Sequence, residues 1–229
     1  MKNSNRITIV LSLLALFNLS LFAQNSETRS LSNFTEIHVA QGIELVAKKG
    51  TENSVTIEAR GIDIEDVYTD QRGDALKLRL RQPNFKSPHV RIELTYTEEL
   101  EKINVNTGAQ AIFRDLIKTE RLDITASTSG IVEAEINVEM LDLSATTSGQ
   151  IDLSGNAKEI EASASTGGEI DAFDVDTDDV YAKASTGAAV RVTANERLKG
   201  SANTGGDVRY RGNARTDIRT STGGSVRKS

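Results

Sequence analysis

The stretch ASTGGEI at residues 164–170 comes back in altered form along the second half of the chain, and that recurrence restricts the fold more than any other feature. Thr followed by two small residues stands at Thr107, Thr128, Thr147, Thr166, Thr186, Thr204 and Thr222, at intervals of 21, 19, 19, 20, 18 and 18 residues. Three copies carry two glycines, Gly167 with Gly168, Gly205 with Gly206 and Gly223 with Gly224, while Gly187 is followed by Ala188. Self-similarity at a short fixed period is the mark of a stacked repeat architecture.

Between the threonines the chain alternates with a period of two, the spacing of a strand whose two faces differ. Ile124 with Ala126, Leu143 with Ala145, Ala162 with Ala164 and Ala182 with Ala184 precede the turn. Val132 with Ala134, Ile151 with Leu153, Ile170 with Ala172 and Val190 with Val192 follow it. An apolar residue six before most threonines (Leu122, Leu141, Ile160, Val180, Leu198) belongs to the same inward set. Each repeat reads as strand, small-residue turn, strand. LSGNAKEI (153–160) and YRGNARTDI (210–218) read as holding a further turn, at Gly155 with Asn156 and at Gly212 with Asn213.

A unit of 18 to 21 residues cannot bury a strand face alone, but it can when each unit is one coil stacked on the next. The predicted fold is all-β, a single-stranded parallel β-helix or β-solenoid. With coils ~4.8 Å apart, the seven marked coils span roughly 30 Å. The few aromatic residues and the absence of Trp suit a narrow interior of Ala, Val, Ile and Leu. Residues 107–226 form the regular coils. Residues 31–106 alternate as well, in FTEIHVAQGIELVAKKG, SVTIEAR, ALKLRLRQ and HVRIELTYTEELEKINVNTG, and read as longer, less uniform coils. Both prolines fall in QPNFKSPH (82–89), the expected largest excursion from the rod.

Ahead of the repeats, Lys2 and Arg6 precede an apolar run over 7–22 that ends at small Ala23. This is the pattern of a secretory signal peptide over 1–23, since the run is shorter than the roughly 20 apolar residues a spanning helix needs. A single exported domain over 24–229 is expected, in the periplasm or at the cell surface, with no transmembrane segment in the mature chain.

Composition narrows the chemistry. The chain has no Cys, which removes disulfides, thiol catalysis and cysteine metal sites, and only two His, His38 and His89. The net charge of -6 becomes -8 without Lys2 and Arg6, the wrong sign for a general nucleic-acid binder. The charge is also split. Residues 115–180 hold 16 acids against 3 bases, whereas 181–229 hold 3 against 10.

The order of features, FTEIHVAQGIELVAKKG, VTIEARG, ALKLRLRQ, VRIELTYTEELEKINVNTGAQ and then the Ser/Thr-Gly coils, resembles the auto-transporter adhesin head GIN domain family of exported proteins from Bacteroidetes-type bacteria. The resemblance covers roughly residues 31–226. It implies a right-handed parallel β-helix in a cell-envelope setting with an adhesin-like role, and it brings no catalytic residues.

Repetition lets outward columns be read from the alignment of coils. The column five residues after each Thr reads Glu133, Asp152, Asp171, Arg191, Arg209, Arg227. A second reads Asp123, Asp142, Glu161, Tyr181, Lys199, Asp217. Stacked carboxylates, with Asp152, Asp171, Asp174 and Asp176 as the ligand set and DAFDVDTDD as an acidic loop, are the candidate for a Ca²⁺ site. The simpler reading, and the favoured one, is a solvated acidic face with no cofactor. Arg191, Arg209 and Arg227 are the candidate grip on phosphate, sulfate or uronate groups of an envelope glycan, with protection of the last strand edge by Arg227 and Lys228 as the alternative. Thr128, Thr147, Thr166, Thr186, Thr204 and Thr222 with their glycines are structural turn residues. Outward Ser and Thr pairs (Thr125 with Ser127, Ser144 with Thr146, Ser163 with Ser165) form a flat row that Lys183, Asn203 and Arg219 interrupt. The expected function is a non-catalytic binding or structural module whose partner is an envelope glycan or protein. The alternative is a polysaccharide lyase or hydrolase that uses the stacked carboxylates.

Overall fold

The alternation seen in the sequence becomes an inside and an outside. The computed structural model describes residues 25–81 and 88–229. The segment read as a signal peptide (1–23) and residues 82–87 of the proline-bearing stretch, the expected excursion, lie outside the described residues. The described chain is an all-β solenoid of about seven turns.

Nine strands make the first half: β1 (Asn25–Ser30), β2 (Glu36–Val39), β3 (Glu44–Lys49), β4 (Ser54–Arg60), β5 (Val67–Arg72), β6 (Ala75–Leu80), β7 (His89–Tyr96), β8 (Lys102–Asn106) and β9 (Gln110–Phe113). A 3-10 turn at Ile64–Asp66 precedes β5. The regular coils follow as β10 (Ile117–Ser127), β11 (Ile131–Thr146), β12 (Gln150–Ser165) and β13 (Glu169–Ala184). The last coils are β14 (Ala189–Thr193), β15 (Arg197–Ala202), β16 (Asp207–Arg211), β17 (Arg215–Thr220) and β18 (Ser225–Lys228).

In the regular region each coil is one strand bent around a corner, then a turn. β11 pairs in parallel with β12 from Ile131↔Gln150 to Thr146↔Ser165, with Val132 over Ile151, Leu141 over Ile160 and Ala145 over Ala164. On either side of the corner every second residue is buried, and the inward rows run continuously along the axis. Fully burying a Val, Leu or Ile side chain is worth roughly 1.5–3 kcal/mol, so each coil is held by rows that exist only when its neighbours are present. Gly155 and Asn156 lie inside β12, so the turn expected there is a corner without a break in the ladder. Gly155 permits it because its φ is 116° and a Cβ would sit 2.0 Å from the carbonyl oxygen of Ile136 on the coil below. The DAFDVDTDD segment is likewise strand, within β13, not a loop. Ala172, Val175 and Thr177 point inward there, and a register shift between Asp152 and Ser154 leaves Phe173 as an extra residue.

The Thr-Gly motifs form the turns. Thr107, Thr128, Thr147, Thr166, Thr186, Thr204 and Thr222 all have positive φ, between 46° and 52°. Successive turns are bonded to one another, as in Ser148 N–H to Thr166 O (3.1 Å) and Gly167 N–H to Thr186 O (3.1 Å). Gly168 meets a different constraint, because a Cβ there would lie 2.2 Å from the carbonyl oxygen of Ala145.

The first half departs from the expected succession of coils. β2 and β3 form one coil, whose neighbours on one side are β8 and β9 and on the other β6 and β7, all parallel. The chain thus lays its second coil outside the first before returning to build the rod. β4 pairs antiparallel with β7, β1 pairs antiparallel with β4, and β5 pairs antiparallel with β6. These strands close the N-terminal end of the solenoid, covering an edge that would otherwise present unpaired backbone groups. Buried Asn53 ties this cap together, accepting from Thr97 N–H (2.9 Å) and donating to Asn33 Oδ1 (3.2 Å).

Candidate functional site

Both charged columns are true ladders. Glu133, Asp152, Asp171, Arg191, Arg209 and Arg227 are successive register partners. The strand alternation that buries Val132, Ile151, Ile170, Val190 and Val208 turns this set outward. The three arginines are brought together, and each already shares its guanidinium with an acid. Arg191 Nη1 bonds Glu169 and lies 3.3 Å from Asp171 Oδ2. Arg209 Nε donates to Asp207 Oδ2 at 2.8 Å, and Arg227 Nη2 reaches the same oxygen at 3.3 Å. The column that sequence reasoning offered for anion capture is thus substantially satisfied within the chain.

The four proposed Ca²⁺ ligands are not brought to one point. Asp152 and Asp171 are register partners, but Asp174 and Asp176 stand opposite Ser154 and Asn156, further along the coil. Asp171 faces Arg191 and accepts from the Phe173 N–H, Asp174 lies 3.9 Å from Arg211, and Asp176 accepts from Asn195 at 2.6 Å. Among the described residues no three His, Asp or Glu side chains converge to hold a metal ion. Partial burial, then the charges of Asp171, Glu133, Asp174 and Glu169, push the Asp152 carboxyl above its ordinary value. Phe173, the extra residue of β13, lies under the guanidinium of Arg211 at 4.0 Å from its ring centroid.

The second ladder, Asp123, Asp142, Glu161, Tyr181, Lys199 and Asp217, is also in register. Two residues upstream on the same face runs a companion ladder of Asp179, Arg197 and Arg215. Between the two ladders lies an axial groove of about 350 Å³, with Val180, Leu198 and Thr216 between its walls. Arg197 is committed to Asp179 through two bonds, at 2.7 and 2.5 Å, and the pairing holds the Asp179 carboxyl below its ordinary value. Tyr181 is 43% exposed. Among the described residues no acid pairs with Lys199 or Arg215, whereas Asp217 has Arg219 at 3.9 Å. Sequence reasoning placed Tyr181 and Lys199 in a column but missed Arg197 and Arg215. The available signal was the 18-residue coil interval applied to residues two positions before the known column.

With the solenoid and its ladders in place, the comparisons are decisive for family. A family model described as "putative auto-transporter adhesin, head GIN domain" matches residues 33–214. The chain belongs to this family. Solved structures share the GIN-domain fold at low identity. A putative adhesin from Bacteroides fragilis is 16% identical, with a TM-score of 0.81 over 90% of this chain and 96% of that one. A putative adhesin from Parabacteroides merdae is 18% identical, with a TM-score of 0.72 over 90% and 95%. A putative lipid binding protein from Parabacteroides distasonis is 19% identical, with a TM-score of 0.67 over 90% and 98%. A search of curated proteins finds no match. Among the described residues no helix is long and apolar enough to cross a membrane.

Proposed function

We propose that this GIN-domain chain is a non-catalytic, adhesin-like binding module exported to the bacterial cell envelope, where it engages an anionic glycan or a protein through contacts repeated along its charged ladders. The observation that carries the reading is the register itself: outward residues of one kind stack coil upon coil, and two ladders change from acidic to basic over the same coils, between Asp171 and Arg191 and between Asp179 and Arg197. The family description and the adhesin names of two structural relatives support it. Individually weak contacts at a fixed spacing add through effective concentration, so a repetitive surface suits a repetitive partner.

Catalysis by the acidic ladder would need two carboxylates free to act in distinct environments, and Asp171, the partner of Asp152, is engaged by Arg191. The test uses the purified mature chain. It is expected to leave anionic and neutral polysaccharides intact, and turnover that disappears on replacing Asp152 and Asp171 with Asn would replace binding with catalysis. Cell fractionation is expected to recover the protein outside the cytoplasm, and exclusive recovery from the cytoplasm would sink the envelope assignment.

A further inference from the structure

The groove between the two ladders at the basic end of the solenoid has the chemistry of a saccharide site, and this inference rests on the binding-module reading above. We propose that the groove walled by Tyr181, Lys199, Arg197 and Arg215 binds a short stretch of a polyuronate chain, laid along the solenoid axis. Three observations converge on that ligand. Tyr181 presents an exposed ring at the head of the groove, a flat apolar face against which a pyranose can lie. Lys199 on the next coil and Arg215 on the coil after that are cations without an acid partner among the described residues, facing each other across the groove. The Arg215 guanidinium offers the planar fork that a carboxylate matches, and Lys199 a mobile point charge. Asp217, on the same wall, accepts hydrogen bonds from sugar hydroxyls.

The surroundings limit both the length and the charge density of the ligand. Toward the N-terminus the same two ladders become Glu159 with Glu161 and then Met140 with Asp142, so a polyanion cannot continue along the axis in that direction without meeting carboxylates. Coils recur ~4.8 Å apart, close to the repeat of one pyranose in an extended chain, which places successive sugars on successive coils. Two or three sugars fill the run from Tyr181 to Arg215. A densely sulfated chain carries more negative charge than two free cations beside Asp217 and Asp179 accommodate, so one carboxylate per sugar is the better match. Arg197 serves as a wall residue, since its guanidinium is held by Asp179.

The experiment is titration of the purified mature chain with an oligogalacturonate, its fully methyl-esterified form and heparin, at low and at physiological salt. Saturable binding of the oligogalacturonate is expected, with at least ~10-fold loss on esterification and at least ~10-fold loss in the K199Q/R215Q double variant, since each cation removed takes a charge-assisted contact with it. Tyr181→Ala is expected to weaken binding by a similar factor while leaving the salt dependence unchanged, which a purely electrostatic surface would not show. K228Q, away from the groove, controls for general loss of positive charge. Oligogalacturonate binding that is absent, or unchanged in the groove variants, overturns the proposal, as does heparin binding that is tighter and indifferent to Tyr181. Binding of the protein to whole cell envelopes under those same conditions would leave the adhesin-like reading standing while the groove assignment fell.

Discussion

The hydroxyl of Tyr96 is buried, with the residue 1% exposed, and finds no hydrogen-bond partner among the described residues. Its ring packs edge-on against Phe113 with centroids 6.5 Å apart, so the residue is present for its volume. Burial, with the nearby charge of Asp115, pushes the phenol up to about 12. Below pH 10 both folded and unfolded chains keep the proton, and between pH 10 and 12 the unfolded chain loses it first, so stability falls as pH rises through that window. Tyr96→Phe is expected to add about 1 kcal/mol at neutral pH by removing an unsatisfied group and to abolish this part of the alkaline loss, both read from urea unfolding curves. The opposite holds at Gly168, where a methyl group would collide with the Ala145 carbonyl of the coil below. Gly168→Ala is expected to cost ~3 kcal/mol, an overpacking penalty that only a backbone shift can relieve. The ASTGG turns were legible as turns because their spacing recurs. Two of their requirements were not legible, the positive φ of Thr166 and the close approach at Gly168, since each depends on the adjacent coil.

Among the elements, β11, β12 and β13 carry the acidic ladder, and a stack of like charges opposes the packing that aligns it. Asp152 sits between Glu133 and Asp171 in that stack, and its raised folded value makes it a group whose contribution to stability is present at acid pH and lost as pH rises through that value. Asp152→Asn is therefore expected to stabilise the protein at pH 7 by about 0.5 kcal/mol once solvent screening is allowed for, and to flatten the slope of melting temperature against pH in the acid range. A melting temperature that falls at pH 7 would show that the carboxylate is held by a favourable contact instead. The ladders themselves were legible, because an outward column follows from two periods, two residues within a strand and 18 to 20 between coils. The engagement of Arg191 by Glu169 and Asp171 was not legible. It depends on the geometry of neighbouring outward columns, and a column read alone cannot show what its side chains reach sideways.

At the scale of the whole molecule, the two ends of the solenoid differ. The N-terminal end is closed by antiparallel β1, β4 and β5, whereas β17 and β18 each pair on one side only among the described residues, and all six residues of β17 are exposed. Stacked repeats derive stability from nearest-neighbour interfaces, so hydrogen exchange is expected to be slowest in β11 to β13, long strands paired on both sides, and fastest in β17 and β18. Uniform protection from end to end would show instead that the rod opens as one unit.

The sequence by itself determined the strand period, the positions of the Thr-Gly turns, the inward rows and the order of the charged columns, because all of these repeat along the chain at fixed intervals and a repeat is visible without knowing what touches what. Only the tertiary structure decided that β6 and β7 lie outside β2 and β3, that antiparallel strands seal that end, that the arginines of one ladder are spent on neighbouring acids, and that Tyr181, Lys199 and Arg215 share a groove. The first two depend on contacts between segments with no common period, and the last two on how side chains of neighbouring columns reach toward one another, which a period does not record. Their free energy comes from edges covered and charges paired at long sequence separation, and nothing in the local alternation of apolar and polar residues records which partner was chosen.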